Sequence, residues 1–182
     1  RIMISVISKV ITNPTLVSVA QNTNASVASE TVLKSVGRPG FILIDNDIDL
    51  RYSNRTIYGE FNGNIDFQGH KLLLNVKNSA SRVFEKLGKG AIFKNMDMHI
   101  WYDEARSRYD TLTDWSSATF SNIMITIEEA VTTPAEQISF LVRVNRGTVD
   151  HFVVHNKAEI QVTRYFGFIS NYIYGTVKNG YL

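Results

Sequence analysis

The fold is decided by the stretch Ala91–Ile127, in which one short pattern occurs twice. Phe93–Ile100 reads FKNMDMHI and Phe120–Ile127 reads FSNIMITI, so both copies follow Phe-x-Asn-apolar-x-apolar-x-Ile. Apolar residues recur at every second position, which is typical of a strand and not of a helix. Self-similarity at a fixed period of roughly 20–50 residues is typical of repeat architectures such as solenoids, and the step from Phe93 to Phe120 falls in this range. We therefore predict a parallel β-helix.

Two weaker copies follow the strong ones. One is Val149–Asn156, and the other is a remnant at Ile169–Tyr172. If the copies stack, equivalent positions form rows that run along the solenoid. Two rows are predicted to face inward, and they contain Met96, Ile123 and Phe152, and Met98, Ile125 and Val154. A third row is predicted to stack side-chain amides at a corner, and it contains Asn95, Asn122 and Asn171, with His151 in the third copy.

Composition places the chain among single-domain globular proteins. It has 182 residues, of which 44% are hydrophobic and 20% charged, and a formal net charge of +2. It lacks both the signature of disorder and the strong positive charge of a nucleic-acid-binding domain. It contains no cysteine, which excludes disulfides and thiolate metal sites. No apolar run approaches the roughly 20 residues of a membrane span, and residues 1–10 do not form a signal peptide. We expect no nucleic-acid partner and no membrane span.

The region before the repeats divides into two predicted parts. Residues 1–28 are interpreted as an extended arm, because residues 11–29 carry no charge and are rich in Thr, Asn, Ser and Val. A flexible linker explains the same composition equally well. Ser29–Val36 is predicted to be a short helix, with Ser29 as its N-cap, that covers the first layer of the solenoid. Residues 29–182 are assigned to the β-helix domain.

The remaining segments are predicted to be strands or loops. Strands are predicted at Phe41–Ile44, Ile48–Leu50 and Lys71–Val76. Loops are predicted at Arg82–Gly90, Asp103–Ser117 and Ala130–Gln137. The last two are long enough to leave the solenoid body, and such insertions often mark the binding face. The aromatic-rich segment Val162–Leu182 shows no polar cap, which predicts that the chain continues or that a partner subunit closes it.

The first part of the predicted solenoid resembles a known class of proteins. The predicted helix is followed by a Gly/Pro turn, a strand pair around Asp45–Asp47, and Tyr58–Gly69, which reads YGEFNGNIDFQG. This order resembles the start of right-handed parallel β-helices of the pectate-lyase-like superfamily, as in bacteriophage tailspike, tail fibre or neck appendage proteins. The resemblance implies that the helix caps the first coil, that the arm attaches to the virion, and that the protein is a trimeric adhesin or depolymerase. No catalytic motif of the enzymatic members is present, so no catalytic residue follows from the resemblance.

Charged side chains on the outward rows are the candidates for chemistry. A polysaccharide-degrading enzyme needs two carboxyl groups about 5 to 9.5 Å apart, which adjacent layers of a β-helix can supply. The acidic candidates are Asp97, Asp103, Glu104 and Glu128. Asp97 with His99, and Glu128 with His155, are predicted to be the closest neighbours on one face. A solvated stripe with a Glu128–Lys157 pair explains the same residues without any activity.

Aromatic residues around one predicted loop are candidates for carbohydrate binding. They are Trp101, Tyr102, Tyr109 and Trp115. Aromatic faces stack on sugar rings, but they also anchor subunit interfaces or pack into a core, and all three alternatives stay open. His151 and His155 are separated by about 13 Å along a strand, which is not a metal-binding spacing. We predict neither a metal nor a cofactor.

These observations and the resemblance lead to one primary functional hypothesis. We expect a structural or host-attachment component of a bacteriophage virion, a homotrimer that contacts other virion proteins through its arm. Its expected ligand is a host cell-surface polysaccharide. The alternative is a polysaccharide-degrading hydrolase or lyase on the same scaffold, and a bacterial surface adhesin is a third option.

Overall fold

The computed structural model of the chain describes residues 41–44, 47–51, 57–76, 82–103, 107–130 and 133–182. The predicted arm and the predicted helix Ser29–Val36 lie outside these residues. The described part contains strands and no helix, and therefore no helix able to cross a membrane. Its strands are β1 (Phe41–Leu43), β2 (Ile48–Asp49), β3 (Ile57–Phe61), β4 (Asn64–Asp66), β5 (Lys71–Asn75), β6 (Phe84–Leu87), β7 (Ile92–Tyr102), β8 (Arg108–Tyr109), β9 (Thr113–Ser116), β10 (Thr119–Ala130), β11 (Ala135–Ser139), β12 (Val142–Asn145), β13 (Thr148–Asn156), β14 (Val162–Gly167), β15 (Tyr172–Ile173) and β16 (Thr176–Tyr181).

The strands form three parallel sheets, which we call the long, the five-stranded and the three-stranded sheet. Within the described residues the long sheet runs β1-β4-β7-β10-β13-β16, with β2 and β5 beside it, and the others run β15-β12-β9-β6-β3 and β14-β11-β8. The strand pairings are parallel, and the chain visits the sheets in rotation. In the long sheet, four equivalent residues lie over one another in successive layers, namely Ile92, Thr119, Thr148 and Thr176. This is a parallel β-solenoid, which confirms the predicted fold class.

The inward rows form the core. The two predicted rows of apolar side chains are buried, and Phe93 and Phe120 stack with their ring centroids 5.2 Å apart. Phe61 and Phe84 pack against Phe93 from the preceding layers, at 6.0 and 5.6 Å. Burial of one such side chain contributes about 1.5–3 kcal/mol. The strict alternation in the repeated motif therefore supplies the main stabilisation of the stack.

The predicted corner row of amides is present, but Asn171 is not one of its members. Asn95 and Asn122 adopt left-handed backbone angles (φ 54° and 53°), which asparagine tolerates better than most residues. The Asn122 Nδ2 donates to Asn95 Oδ1 at 2.8 Å. His151 holds the same position in the next layer, with φ 57°. We call this line of left-handed residues the corner row.

The predicted fourth copy at Ile169–Tyr172 was wrong. Val177, and not Ile169, pairs with Val149 of the third copy, so Asn179 (φ 56°) occupies the corner row. Asn171 lies between the other two sheets, where its Nδ2 donates to Ile138 O of the three-stranded sheet at 2.9 Å and its N donates to Arg143 O of the five-stranded sheet at 3.1 Å. The repeat in the long sheet thus continues through β16.

The three predicted loops were also wrong, because they contain the short strands of the other two sheets. Strand β6 lies in Arg82–Gly90, β8 and β9 lie in Asp103–Ser117, and β11 begins in Ala130–Gln137. Several positions there are polar and buried, such as Thr113, Ser116, Ser139 and Asn145. These residues interrupt the apolar alternation on which strand prediction depends. The described parts of these segments belong to the solenoid wall and not to a separate binding face.

Candidate functional site

A groove follows the corner row on the outer surface of the long sheet, and we call it the corner groove. It encloses about 440 Å³ and is lined by the corner-row side chains and by the residues that follow them. Met124 and Val153, 45% and 40% exposed, are successive members of its apolar side. Both lie on one outward row of the long sheet, since Met124 pairs with Asp97 in one direction and Val153 in the other. The repeat therefore builds a surface on which amides and apolar groups run side by side.

One flank of the corner groove carries a charged network that crosses three layers. We call it the acid–histidine network, and its members are Asp97, His99, Glu128 and Lys157. His99 Nδ1 lies 2.7 Å from Glu128 Oε1, and His99 Nε2 lies 3.0 Å from Asp97 Oδ1. Lys157 Nζ donates to Glu128 Oε2 at 2.9 Å. Asp97 belongs to both the network and the groove lining.

A bulge explains why Glu128 meets His99. The register of β7 and β10 shifts between Ile127 and Glu129, so that Trp101 pairs with Glu129. Such a bulge redirects the side chain of the extra residue, here Glu128. Towards the next layer Thr126 pairs with His155, and Glu128 contacts Lys157 and not His155, so the predicted Glu128–Lys157 pair is confirmed.

Within the network Glu128 has hydrogen-bond partners on both carboxylate oxygens, whereas Asp97 Oδ1 has none. The hydrogen bonds from Lys157 and His99 lower the pKa of Glu128. Asp97 Oδ1 and His99 Nε2 are both buried, but their close approach lacks hydrogen-bond alignment. No group of three potential ligands that could hold a metal ion occurs among the described residues. Of the other acidic candidates, Asp103 is exposed at the end of β7, and Glu104 lies outside the described residues.

The four aromatic candidates separate into core and surface residues. Tyr102 and Tyr109 are 1% and 2% exposed, and their rings pack edge to face at 4.8 Å. The Tyr102 hydroxyl donates to Thr111 Oγ1 at 2.8 Å, and burial raises the pKa of Tyr102. Both rings are therefore unavailable to a ligand at the surface, and packing explains them. Trp101 and Trp115 are partly exposed, but they lie on different sheets.

A second group of charges, which sequence reasoning missed, lies where the three-stranded sheet leads into the five-stranded sheet. We call it the acid–arginine cluster, and its members are Arg108, Asp110, Asp114 and Arg143. Arg108 Nη2 lies 2.9 Å from Asp110 Oδ2 and 3.5 Å from Asp114 Oδ1. A single arginine nitrogen thus bridges the two carboxylates and brings them together. Arg143 Nε donates to Asp114 Oδ1 from the next layer.

The pKa values of the two aspartates in this cluster are displaced in opposite directions. Burial raises the pKa of Asp110, more than the charge and hydrogen bond of Arg108 lower it. Burial alone would raise the pKa of Asp114 too, but the hydrogen bond and charge of Arg143, with the charge of Arg108, lower it. Asp110 is only 9% exposed, and its Oδ1 is buried without a hydrogen-bond partner among the described residues. Opposite shifts of neighbouring carboxyls are the arrangement that separates an acid from a base.

The backbone beside this cluster is strained. Thr111 has φ 61°, which is unusual for a β-branched residue. Its hydroxyl donates to Ser139 O of the next layer at 2.8 Å and accepts from Tyr102, so buried hydrogen bonds hold it in place. Strain of this kind is often found beside functional groups. The sequence signal for the cluster was an acidic residue on either side of Thr111, within a segment interpreted as a loop.

The outer surface of the five-stranded sheet carries another open groove, of about 480 Å³, which we call the tryptophan groove. Its lining residues are Gly59, Glu60, Glu85, Lys86 and Trp115. Lys86 pairs in register with Trp115 and lies 3.6 Å from Glu60, measured from Nζ to Oε1. Trp115 is therefore a predicted carbohydrate candidate that the structure places in a groove.

Comparison of the chain with protein families, with curated proteins and with solved structures found no match.

Proposed function

We propose that the protein is a host-attachment component of a bacteriophage virion that binds an extended polysaccharide along the corner groove. The observation that carries the binding part is the groove itself, in which the amides of three layers lie beside the exposed apolar side chains of Met124 and Val153, with His151 in place of the amide in the remaining layer. Amides hydrogen-bond to sugar hydroxyls, while apolar surfaces cover the C–H faces of the rings. A repeating polymer matches a repeating wall. The virion part of the proposal rests on the resemblance of Tyr58–Gly69 and its surroundings.

The test of binding compares one groove variant with a matched control. Met124→Glu places a negatively charged side chain in the groove, whereas Phe166→Glu alters a residue of similar exposure (42%) on the three-stranded sheet. In affinity electrophoresis we expect a gel that contains the polysaccharide to retard wild type and Phe166→Glu but not Met124→Glu. Circular dichroism checks that both variants fold. Equal retention by all three proteins would remove the corner groove as the binding site.

The virion assignment needs a separate experiment. Antibodies raised against the chain are expected to label purified phage particles at their tails or appendages in immunogold electron microscopy. Binding of polysaccharide without any labelling of particles would favour a cell-surface adhesin with the same fold.

The acid–arginine cluster favours one second candidate function, a polysaccharide hydrolase. In such a reaction Asp110, with its raised pKa, would protonate the glycosidic oxygen as its bond to the anomeric carbon breaks, and the ionised Asp114 would form a bond to that carbon. Water, deprotonated by Asp110, would then displace Asp114 and release the sugar. Both carboxylates contact the same nitrogen of Arg108, which favours the closer of the two carboxyl spacings, about 5–5.5 Å, used by retaining enzymes.

The release of reducing ends from candidate polysaccharides tests this alternative. We expect activity, if the hydrolase hypothesis holds, to disappear in Asp110→Asn and in Asp114→Asn. Glu128→Gln changes a carboxylate outside the cluster and serves as the control. Loss of activity in Glu128→Gln alone would move the chemistry to the acid–histidine network, and no release by wild type would leave attachment as the function.

A further inference from the structure

The tryptophan groove borders an arginine that is held between two aromatic rings. The guanidinium carbon of Arg146 lies 4.4 Å from the ring centroid of Trp115 and 4.8 Å from that of Tyr174. Arg146 and Tyr174 occupy equivalent positions in successive layers, because they directly follow Asn145 and Ile173, which pair with each other. The three side chains form a stack up the outside of the five-stranded sheet, which we call the arginine stack.

The backbone holds this stack in register. Arg146 N donates to Ser116 O at 2.7 Å, and Tyr174 N donates to Asn145 O at 2.9 Å. The next residue of both layers is a glycine, and a Cβ atom on Gly175 would clash with Gly147 O. The corner therefore requires close backbone contact between layers. This contact fixes the spacing between Arg146 and Tyr174.

Among the described residues, Arg146 differs from three other arginines because no acidic side chain lies beside it. Arg51, Arg108 and Arg143 contact Asp49, Asp110 and Asp114, respectively. Arg146 is exposed, and within the described part of the chain its side chain contacts the two rings and no carboxylate. Both rings lie within cation–π distance of the guanidinium, and no acidic side chain of the described residues occupies its N–H groups. A planar fork of donors held this way is suited to a carboxylate, which it can bind through two parallel hydrogen bonds.

We propose that the arginine stack binds the carboxylate of an acidic sugar, a uronate residue of the polysaccharide. The tryptophan groove beside it offers room for the sugar rings, while the charge of Lys86 in its lining is compensated by Glu60, which leaves Arg146 as the group that binds the carboxylate. Glu60 and Glu85, also in the groove lining, supply acceptors for sugar hydroxyls. This inference rests on the proposed function and adds the ligand class and a second contact surface. An acidic peptide would offer the same carboxylate without the hydroxyls and rings that the groove accommodates.

The test uses oligogalacturonate as the probe, together with the same oligosaccharide after reduction of its carboxyl groups to alcohols. By titration calorimetry we expect Arg146→Gln to weaken binding of the acidic probe by at least about tenfold, the usual weight of a charge-assisted hydrogen bond. Arg146→Lys keeps the charge but not the fork and is expected to recover only part of the loss. The matched control is Arg164→Gln, because Arg164 lies over the ring of Tyr165 at 6.0 Å, outside the stack. This control is expected to bind like wild type.

Several outcomes would overturn the inference. Equal affinity of wild type and Arg146→Gln for the acidic probe would show that Arg146 does not bind it. Equal affinity of wild type for both probes would show that the carboxylate is not recognised. Binding of polyglutamate as tightly as oligogalacturonate would show that the site does not select a sugar. If Met124→Glu abolishes polysaccharide binding while Arg146→Gln does not, the corner groove remains the binding site and only the inference about Arg146 fails. If no polysaccharide binds at all, both fail.

Discussion

The acid–histidine network and the acid–arginine cluster use the same kinds of residue to connect adjacent layers, but in different surroundings. Glu128, at the centre of the first, has a pKa lowered by its partners, and the side chain of Lys157 beside it is 46% exposed. In the second, Asp110 is 9% exposed, and its pKa is raised while that of Asp114 is lowered. The difference teaches that the burial of one carboxyl, that of Asp110, separates the two groups, because Glu128 and Asp114 are both partly exposed. Partly exposed charges fasten layers together, whereas a buried carboxyl beside an ionised one forms a polarised pair.

The largest loss of stability is expected when a carboxylate of the acid–arginine cluster is removed. Asp114→Ala leaves the partly buried Arg143 without its carboxylate, whereas Arg108 keeps its contact with Asp110. We expect the free energy of unfolding to fall by about 2–3 kcal/mol, somewhat less than for a fully buried pair. Urea denaturation measures the change, with Glu136→Ala, an exposed site on β11, as control. A loss no greater than that of the control would show that the cluster does not stabilise the fold.

A smaller effect, but one of opposite sign at the two aspartates, is expected in the pH dependence of stability. Asp110 has a raised pKa, so its contribution is present below the unfolded pKa of about 3.9 and is lost as pH rises through the folded value. Asp114 has a lowered pKa, so its contribution is present above about 3.9 and is lost as pH falls through the folded value.

Unfolding curves at a series of pH values test these signs. Relative to wild type, Asp110→Asn should gain stability as pH rises above about 4, the unfolded pKa of an aspartate. Asp114→Asn should lose stability, relative to wild type, as pH rises towards the same value from below. Parallel curves for the two variants would contradict the polarised arrangement.

Removal of a charge from the acid–histidine network is expected to lower the stability only slightly. Glu128→Gln removes the charge that His99 and Lys157 share, and a solvent-accessible pair of this kind contributes about 0.5 kcal/mol. Glu129→Gln changes the neighbouring exposed residue and is expected to have no measurable effect. Thermal unfolding of the two variants side by side is sufficient. A loss for Glu128→Gln as large as that for Asp114→Ala would erase the distinction between the two groups.

The smallest effect is expected from the coupling of Glu128 and Lys157 alone. A double-mutant cycle with Glu128→Gln and Lys157→Ala should give about 0.3 kcal/mol at low salt and less at high salt, because exposed pairs are screened. The same cycle on Asp114 and Arg143 should retain most of its coupling at high salt. Equal screening of both pairs would indicate that burial does not separate them.

The long sheet was predictable because its central strands are long and regular. The 11-residue β7 and the 12-residue β10 carry enough alternation to reveal both the strand and the repeat. The strands of the other two sheets have two to six residues. Buried polar residues such as Thr113 and Ser139 replace apolar ones there. A window that short does not contain enough periods to identify a strand.

The candidate sites were predictable only where they follow the repeat. The outward positions of Asp97 and Met124 come directly from the motif, and so does the corner row beside them. The contact of Glu128 with His99 depends on a bulge, which is a departure from the repeat. The proximity of Asp110 and Asp114 depends on a corner within a supposed loop. Sequence periodicity describes regular positions, whereas these two contacts arise at irregular ones.

The regular stacking of layers has a consequence for how this surface can change over evolution. Removal of positions 119–147, one full circuit, would bring Thr148 over Ile92 and Val149 over Phe93 and keep the alignment of the long sheet. Duplication of the same segment would add one layer and keep the same alignment. The corner groove can therefore be shortened or extended one step at a time by insertion or deletion of a single segment. The length of the groove would then be set by gene length, and its chemistry by the side chains of each step.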